Sequence, residues 1–139
     1  MQYRVQKHME AVDWESVCRV IGEAGLRARP PEVTRQAFEN SYQVVFVFAE
    51  DQLIGVGRAV SDGVYEAALY DIAVLPQYQG KKLGRLMLEE LHKGLEGMNV
   101  ILYASPGKET FYAKFGYRRL RTGMARFIYA AELQKRGFT

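Results

Sequence analysis

A chain of 139 residues, 48% apolar and 25% charged, is long enough to bury roughly two-thirds of its unfolded surface in one domain. Its 19 basic and 16 acidic residues leave a net charge of +3, too mild by itself to argue nucleic-acid binding, and its one cysteine excludes an internal disulfide and fits a reducing cytosol. No apolar run approaches the roughly 20 residues of a bilayer span, and MQYRVQKHME lacks the apolar core of a signal peptide, so the expectation is a soluble, cytoplasmic protein with no membrane partner.

Tyr3 and Val5 share one face of a short strand over residues 3–6. Asp13 is placed as an N-cap, and Trp14, Val17, Cys18 and Ile21 follow at helical spacing, which makes Cys18 a small buried apolar residue. Two prolines and two arginines break the chain over residues 27–31. Pro31 starts a second helix through Val33, Ala37 and Phe38 to Asn40. Arg27 and Arg29, between two helices, are candidates for substrate contact.

Residues 42–50 (YQVVFVFAE) are β-branched and aromatic throughout, the pattern of a buried strand. Asp51-Gln52 turns the chain into an antiparallel partner over residues 53–61, where Gly55 and Gly57 leave room for close backbone approach. Asp62-Gly63 is a hairpin turn signal, and residues 65–75 complete a three-stranded meander. Pro76 stops that strand. A helix then begins near Leu83 or Gly84, with Leu83, Leu86, Met87, Glu90, Leu91 and Leu95 on one face. Residues 99–104 form an apolar strand that, after a helical crossover, pairs parallel with the last strand of the meander. Residues 108–115 are a short helix closed by Gly116, residues 117–120 and 124–130 read as two final strands, and the chain ends in a polar tail. The order β-α-α-β-β-β-α-β-α-β-β describes a mixed α/β single domain spanning residues 1–139.

The loop Gln79-Gly80-Lys81-Lys82-Leu83-Gly84 lies between a strand end and a helix start. The first turn of a helix carries unpaired N–H groups and a partial positive charge; Gly80 and Gly84 allow close approach, and Lys81, Lys82 and Arg85 add full charge. Together they make an anion site of pyrophosphate size. The spacing is neither a Walker loop nor a dinucleotide fingerprint, and no zinc-type spacing of cysteine, histidine and aspartate is present, so no metal is expected. A second basic group, Arg118, Arg119, Arg121 and Arg126, also suits a phosphorylated small molecule. The aromatics are not interleaved with the basic residues as in a nucleic-acid module, so no nucleic-acid partner is expected.

The segment YDIAVLPQYQGKKLGRLMLEEL resembles the acetyl-CoA motif of the GNAT N-acetyltransferase superfamily, whose loop reads Q/R-x-x-G-x-G/A. Gln79 takes the first position and Gly84 the last, while Lys82 replaces the middle glycine, a departure tolerated at negative φ. SPGKETFYAKFGYRRL is similar to the second helix motif of that family, F-Y-x-x-x-G-F. The resemblance covers residues 42–120, and its A-x-P-G-K-x-x-F-Y-x-x-F-G-Y form is similar to small bacterial and plastid members, some of the arylalkylamine type.

This resemblance implies a GNAT-type fold around a splayed mixed sheet, with acetyl-CoA as co-substrate. Ile72, Ala73 and Val74 would offer backbone hydrogen bonds to the pantetheine arm, lying against it like an added strand, provided their strand splays from residues 99–104 beyond its start. Backbone N–H groups of Gln79, Gly80, Lys81, Lys82, Leu83, Gly84 and Arg85 would hold the pyrophosphate, with Lys114 as a further coenzyme contact. Tyr112 matches the tyrosine near the thioester sulfur, where a phenol can protonate the leaving thiolate. A backbone N–H near Ala73 would polarise the thioester carbonyl. Asp71 and Tyr70 occupy the position of the base or water relay; alternation puts them on opposite faces, so one of the two faces the acceptor, and Glu66 is a further candidate.

The acceptor expected is a small-molecule primary amine. Glu32, Glu39, Glu66 and Asp71 suit a cationic amine, and Phe38, Tyr42, Tyr65 and Phe127 an aromatic one. The competing reading is a non-catalytic acyl-CoA sensor that binds a protein partner. Open sheet edges near the C-terminus invite pairing into a homodimer.

Overall fold

The β-branched run of the sequence lies inside a five-stranded sheet in the computed structural model, which describes residues 2–139. The chain divides into a unit ending at Leu102 and a unit Tyr103–Thr139.

In the first unit the strands stand in sequence order, β1 (Tyr3–Gln6), β2 (Gln43–Ala49), β3 (Gln52–Ser61), β4 (Glu66–Val74) and β5 (Asn99–Ile101). Neighbours from β1 to β4 are antiparallel; β5 is parallel to β4, as its helical crossover requires. The helices are α1 (Trp14–Glu23), α2 (Pro31–Glu39) and α3 (Leu83–Lys93), with a 3₁₀ turn at Pro76–Tyr78. The expected mixed α/β class is therefore the one formed.

Helices on both faces explain why β2 is apolar without alternation. Phe46 packs toward Phe38 and Trp14 of the helical pair, with ring centroids at 5.7 and 6.2 Å. Val45 and Val47 point the other way, toward α3. Gly55 and Gly57 lie on that second face. A Cβ at Gly55 would come within 3.0 Å of the Met87 sulfur, so glycine is what lets α3 settle onto the sheet. Met87, Leu88 and Leu91 are fully buried there; Leu88 widens the apolar stripe beyond the expected positions.

Three local expectations are corrected in this unit. The β3–β4 connection is a longer loop, in which Asp62 Oδ1 accepts N–H bonds from Val64, Tyr65 and Glu66 at 2.8, 2.9 and 3.2 Å. Those bonds hold the Asp62 carboxyl below its ordinary pKa. The β2–β3 turn is centred on Glu50 and Asp51, with Glu50 at φ 54°. Finally, β5 ends at Ile101 instead of residue 104.

The second unit holds α4 (Glu109–Ala113) and α5 (Ala130–Lys135). The two strands expected over residues 117–120 and 124–130 do not form. A strand needs a partner for its N–H and C=O groups, and no ladder reaches these residues. Their apolar side chains stay in the open instead, Met124 at 98% and Ile128 at 91% exposure. The expected polar tail contains α5, whose AAELQK is rich in strong helix formers. Among the described residues no helix is long and apolar enough to cross a membrane.

Candidate functional site

β4 changes character along its length. Glu66, Ala67 and Ala68 pair with Asn99, Val100 and Ile101 of β5 on one side, and Ala67 and Ala68 pair with Ser61 and Val60 of β3 on the other. Beyond Ala68 the β5 ladder stops, which is the splay expected of this strand. The N–H of Leu75, just past the strand, donates to Ile54 O at 2.9 Å, toward β3. Its neighbour Val74 therefore presents its own N–H and C=O to the edge that β5 has left. Gln79 Nε2 donates to Val74 O there at 3.0 Å. Ala73, paired with Val56, turns its N–H into the β3 ladder. That corrects the expectation that Ile72, Ala73 and Val74 all offer backbone groups at the edge, and it removes the Ala73 N–H as a carbonyl donor.

A bulge separates the two halves of the strand. Val56 faces Ala73 and Arg58 faces Tyr70, so Gly57 alone stands opposite both Asp71 and Ile72. Asp71 takes φ 57°, a left-handed conformation for a residue with a Cβ. Gly57 fits this crowding because a Cβ there would lie 2.8 Å from Ile72 Cδ1 and 3.2 Å from Val45 Cγ1. The bulge also breaks the alternation expected for Tyr70 and Asp71. Arg58 Nε donates to Asp71 Oδ2 at 2.7 Å, and the same guanidinium lies 5.3 Å from the Tyr70 ring centroid. Both residues thus meet one arginine. Arg58 further donates to Ser41 Oγ at 3.3 Å and lies 5.8 Å from the Phe38 ring. Sequence reasoning missed Arg58, yet it left a signal: it is the one charged residue in QLIGVGRAVS.

The loop after β4 has the backbone of an anion cradle. Gly80 takes φ 81°, and nothing lies within 4 Å of where its Cβ would be. Lys82 is the N-cap of α3 at φ 65°, so the condition of negative φ is not met: lysine adopts the left-handed shape that a glycine would take without strain. The first α-helical bond is from Leu86 N–H to Lys82 O at 3.1 Å, so the N–H groups of Leu83 and Gly84 lie in the first turn, ahead of the i to i−4 ladder. Lys81 and Lys82 are exposed; Arg85 Nε is paired with Glu89 at 2.9 Å. The donors and charges present fit a pyrophosphate.

In the second unit Gly107 N–H donates to Glu109 Oε1 at 2.7 Å at the start of α4, and Gly116 ends that turn at φ 90°. Tyr112 packs edge-on against Phe111 and Tyr117, with ring centroids at 5.0 and 5.9 Å. Burial raises the Tyr112 phenol above its ordinary pKa, and burial together with Tyr112 pushes Tyr117 up to about 12. Lys114 is exposed at the C-cap of α4.

Several acceptor candidates are already engaged. Phe38 is 0% exposed within the aromatic cluster and cannot line a cavity. Glu39 pairs with Arg35 at 3.2 Å, and Glu66 accepts from Asn99 Nδ2 at 2.8 Å. Asp71 is engaged in its ion pair with Arg58. Tyr42 and Tyr65 remain exposed on the first unit. Among the described residues no group of three or more metal-ligating side chains converges.

Comparison with known proteins bears on this geometry. Residues 21–126 match the model of the acetyltransferase (GNAT) domain. The chain is 32% identical over 112 residues to an uncharacterized N-acetyltransferase, ycf52, of Gracilaria tenuistipitata var. liui, covering 76% of this chain and 60% of that protein. It is also 32% identical over 125 residues to the chloroplastic serotonin N-acetyltransferase 2 of Oryza sativa subsp. japonica, covering 83% of this chain and 61% of the relative. The chain thus spans about three-fifths of the length of these relatives. The crystal structure of a probable acetyltransferase of unknown function from meticillin-resistant Staphylococcus aureus superposes with a TM-score of 0.82 at 28% identity, covering 92% of this chain and all of that one.

Proposed function

The chain belongs to the GNAT acetyltransferase family, and we propose that it transfers an acetyl group from acetyl-CoA directly to the primary amine of a small molecule. The observation that carries this reading is the β4 edge left open beyond Ala68, which runs through Val74 into the loop at residues 79–85 and the start of α3.

Acetyl-CoA supplies an activated acetyl thioester. The residues that would hold it are Ile72 and Val74 along the edge and Gln79, Gly80, Lys81, Lys82, Leu83, Gly84 and Arg85 at the loop, with Lys114 as a further cation. Val74 N–H donates as a strand residue would. Gln79, bonded to Val74 O, ties the loop to the strand end. Lys81 and Lys82 add charge to the N–H groups of the first helical turn.

Tyr112 is the proposed proton donor to the departing sulfur. Its phenol, raised by burial, stays protonated through the neutral range and is ready to give its proton as the C–S bond breaks. The Asp71 carboxylate is committed to Arg58, with Arg58 Nε 2.7 Å from Asp71 Oδ2. Tyr70, 36% exposed, is the better placed of the two to pass the proton of the amine to solvent. One relative is named for serotonin, so arylethylamines belong first in the acceptor panel, followed by aliphatic amines and peptides.

The test is thiol release from acetyl-CoA with that amine panel, run beside calorimetric binding of coenzyme A. The reading expects turnover with at least one small amine and a fall of about 100-fold in kcat for Tyr112→Phe, with coenzyme A affinity unchanged. Tight binding without turnover of any amine would mark a sensor instead. Turnover confined to peptides would reject the small-molecule acceptor.

A further inference from the structure

We infer that Arg58 is a positioning residue: it clamps Asp71 in the left-handed conformation and so fixes the bulge that sets Ile72 and Val74 at the open edge of β4. The inference rests on reading that edge as the acyl-carrier site.

A residue with a Cβ at φ 57° is held there by its surroundings. Here the holder is specific. Arg58 Nε meets Asp71 Oδ2 at 2.7 Å, and both side chains are only 16% exposed, so water does little to loosen the pair. The guanidinium is itself restrained by Ser41 Oγ, by the Phe38 ring and by the Tyr70 ring. Arg58 stands directly opposite Tyr70, one residue from the point where the register shifts. The clamp therefore acts at the place where β4 passes from its closed half to its open half. A planar guanidinium can donate to Asp71 and Ser41 while lying against two rings; a lysine ammonium cannot do all of this. The same contacts reassign Asp71, a candidate base in the sequence, to holding the backbone.

Conformation separates the roles. Glycine adopts the left-handed shape freely and asparagine more easily than alanine. If Asp71 serves the bulge, Asp71→Gly and Asp71→Asn should stay within about tenfold of the original kcat/KM for acetyl-CoA, while Asp71→Ala falls about 100-fold through misplacement of the edge. Arg58→Gln should cost about tenfold in the original chain and far less in the Asp71→Gly background, because the two act on one element. Melting of each variant checks that it folds. Equal, severe losses in Asp71→Gly, Asp71→Asn and Asp71→Ala, with disappearance of the acid limb of the pH–rate profile, would make Asp71 the base and overturn the inference. So would Arg58→Gln with unaltered kinetics and only a lower melting temperature.

Amide hydrogen exchange reads the clamp even if no substrate is turned over. Arg58→Gln should speed exchange at Ala73 and Leu75, whose N–H groups turn toward β3 beside the bulge, by about tenfold and leave Ala67 and Ala68 unaffected. Unchanged exchange at Ala73 and Leu75 would refute the clamp by itself. Failure of the original chain to bind coenzyme A would refute the reading of the edge and not the clamp.

Discussion

The first three residues of β4 and its last three belong to one strand but meet different neighbours. Glu66, Ala67 and Ala68 pair with β5, and Ala67 and Ala68 also with β3; Ile72 to Val74 have β3 on one side and no strand on the other. The closed half spends its hydrogen bonds on the sheet, and the open half keeps Val74 N–H available. Between them a bulge, a left-handed Asp71 and a nearly buried ion pair make the transition abrupt. A strand can thus be core at one end and a binding edge at the other, provided something fixes the point of change.

Substitutions on the two sides of that point should behave differently. The largest effect on stability belongs to the buried side: Leu69→Ala, at a position 3% exposed, should cost about 2–5 kcal/mol in urea unfolding, with coenzyme A affinity of the folded fraction unchanged. Val74→Pro should do the reverse. It deletes an N–H that the β3 ladder does not use, so it should weaken coenzyme A binding by about fivefold to tenfold in calorimetry while costing about 1 kcal/mol of stability. Equal behaviour of the two variants would erase the distinction between the halves.

The closed half was legible in the sequence and the open half only partly so. Runs such as QVVFVFA announce strands because burial on both faces demands β-branched and aromatic side chains. The element order up to β5 followed from such runs, from Pro76 and from the stripe of α3. The connection between β4 and α3 was legible because Pro76 and Gly80 interrupt both the strand and the helix pattern. The bulge was not, since aspartate at φ 57° looks like any other strand residue until its register is known. The left-handed φ of Lys82 was illegible for the same reason. The strands expected after Tyr117 failed because apolar alternation specifies a face but not a partner. Tyr112 was legible as a residue of a short helix, while the direction of its pKa shift depends on packing that spacing does not encode.

Two smaller effects sharpen the picture. Raising the pH should act on the second unit. Tyrosine in an unfolded chain ionises near 10, whereas Tyr117 in the folded protein does so at about 12. The stabilisation from its protonated form is complete below about pH 10 and is lost as pH rises toward 12. Thermal melts should therefore fall above pH 10, and less so in Tyr117→Phe. The smallest effect is expected from Lys82→Gly. Relief of the left-handed strain, partly offset by the freer unfolded chain, should raise stability by about 0.5 kcal/mol. Loss of one cation should flatten the salt dependence of coenzyme A binding.

The most direct test of the account is residue-resolved amide exchange with and without saturating coenzyme A. It predicts new protection at Val74 and across residues 80–85, with Ala67 and Ala68 unchanged because their bonds are already made. Saturating coenzyme A that protects neither Val74 nor the loop, or that protects both halves of β4 alike, would contradict it.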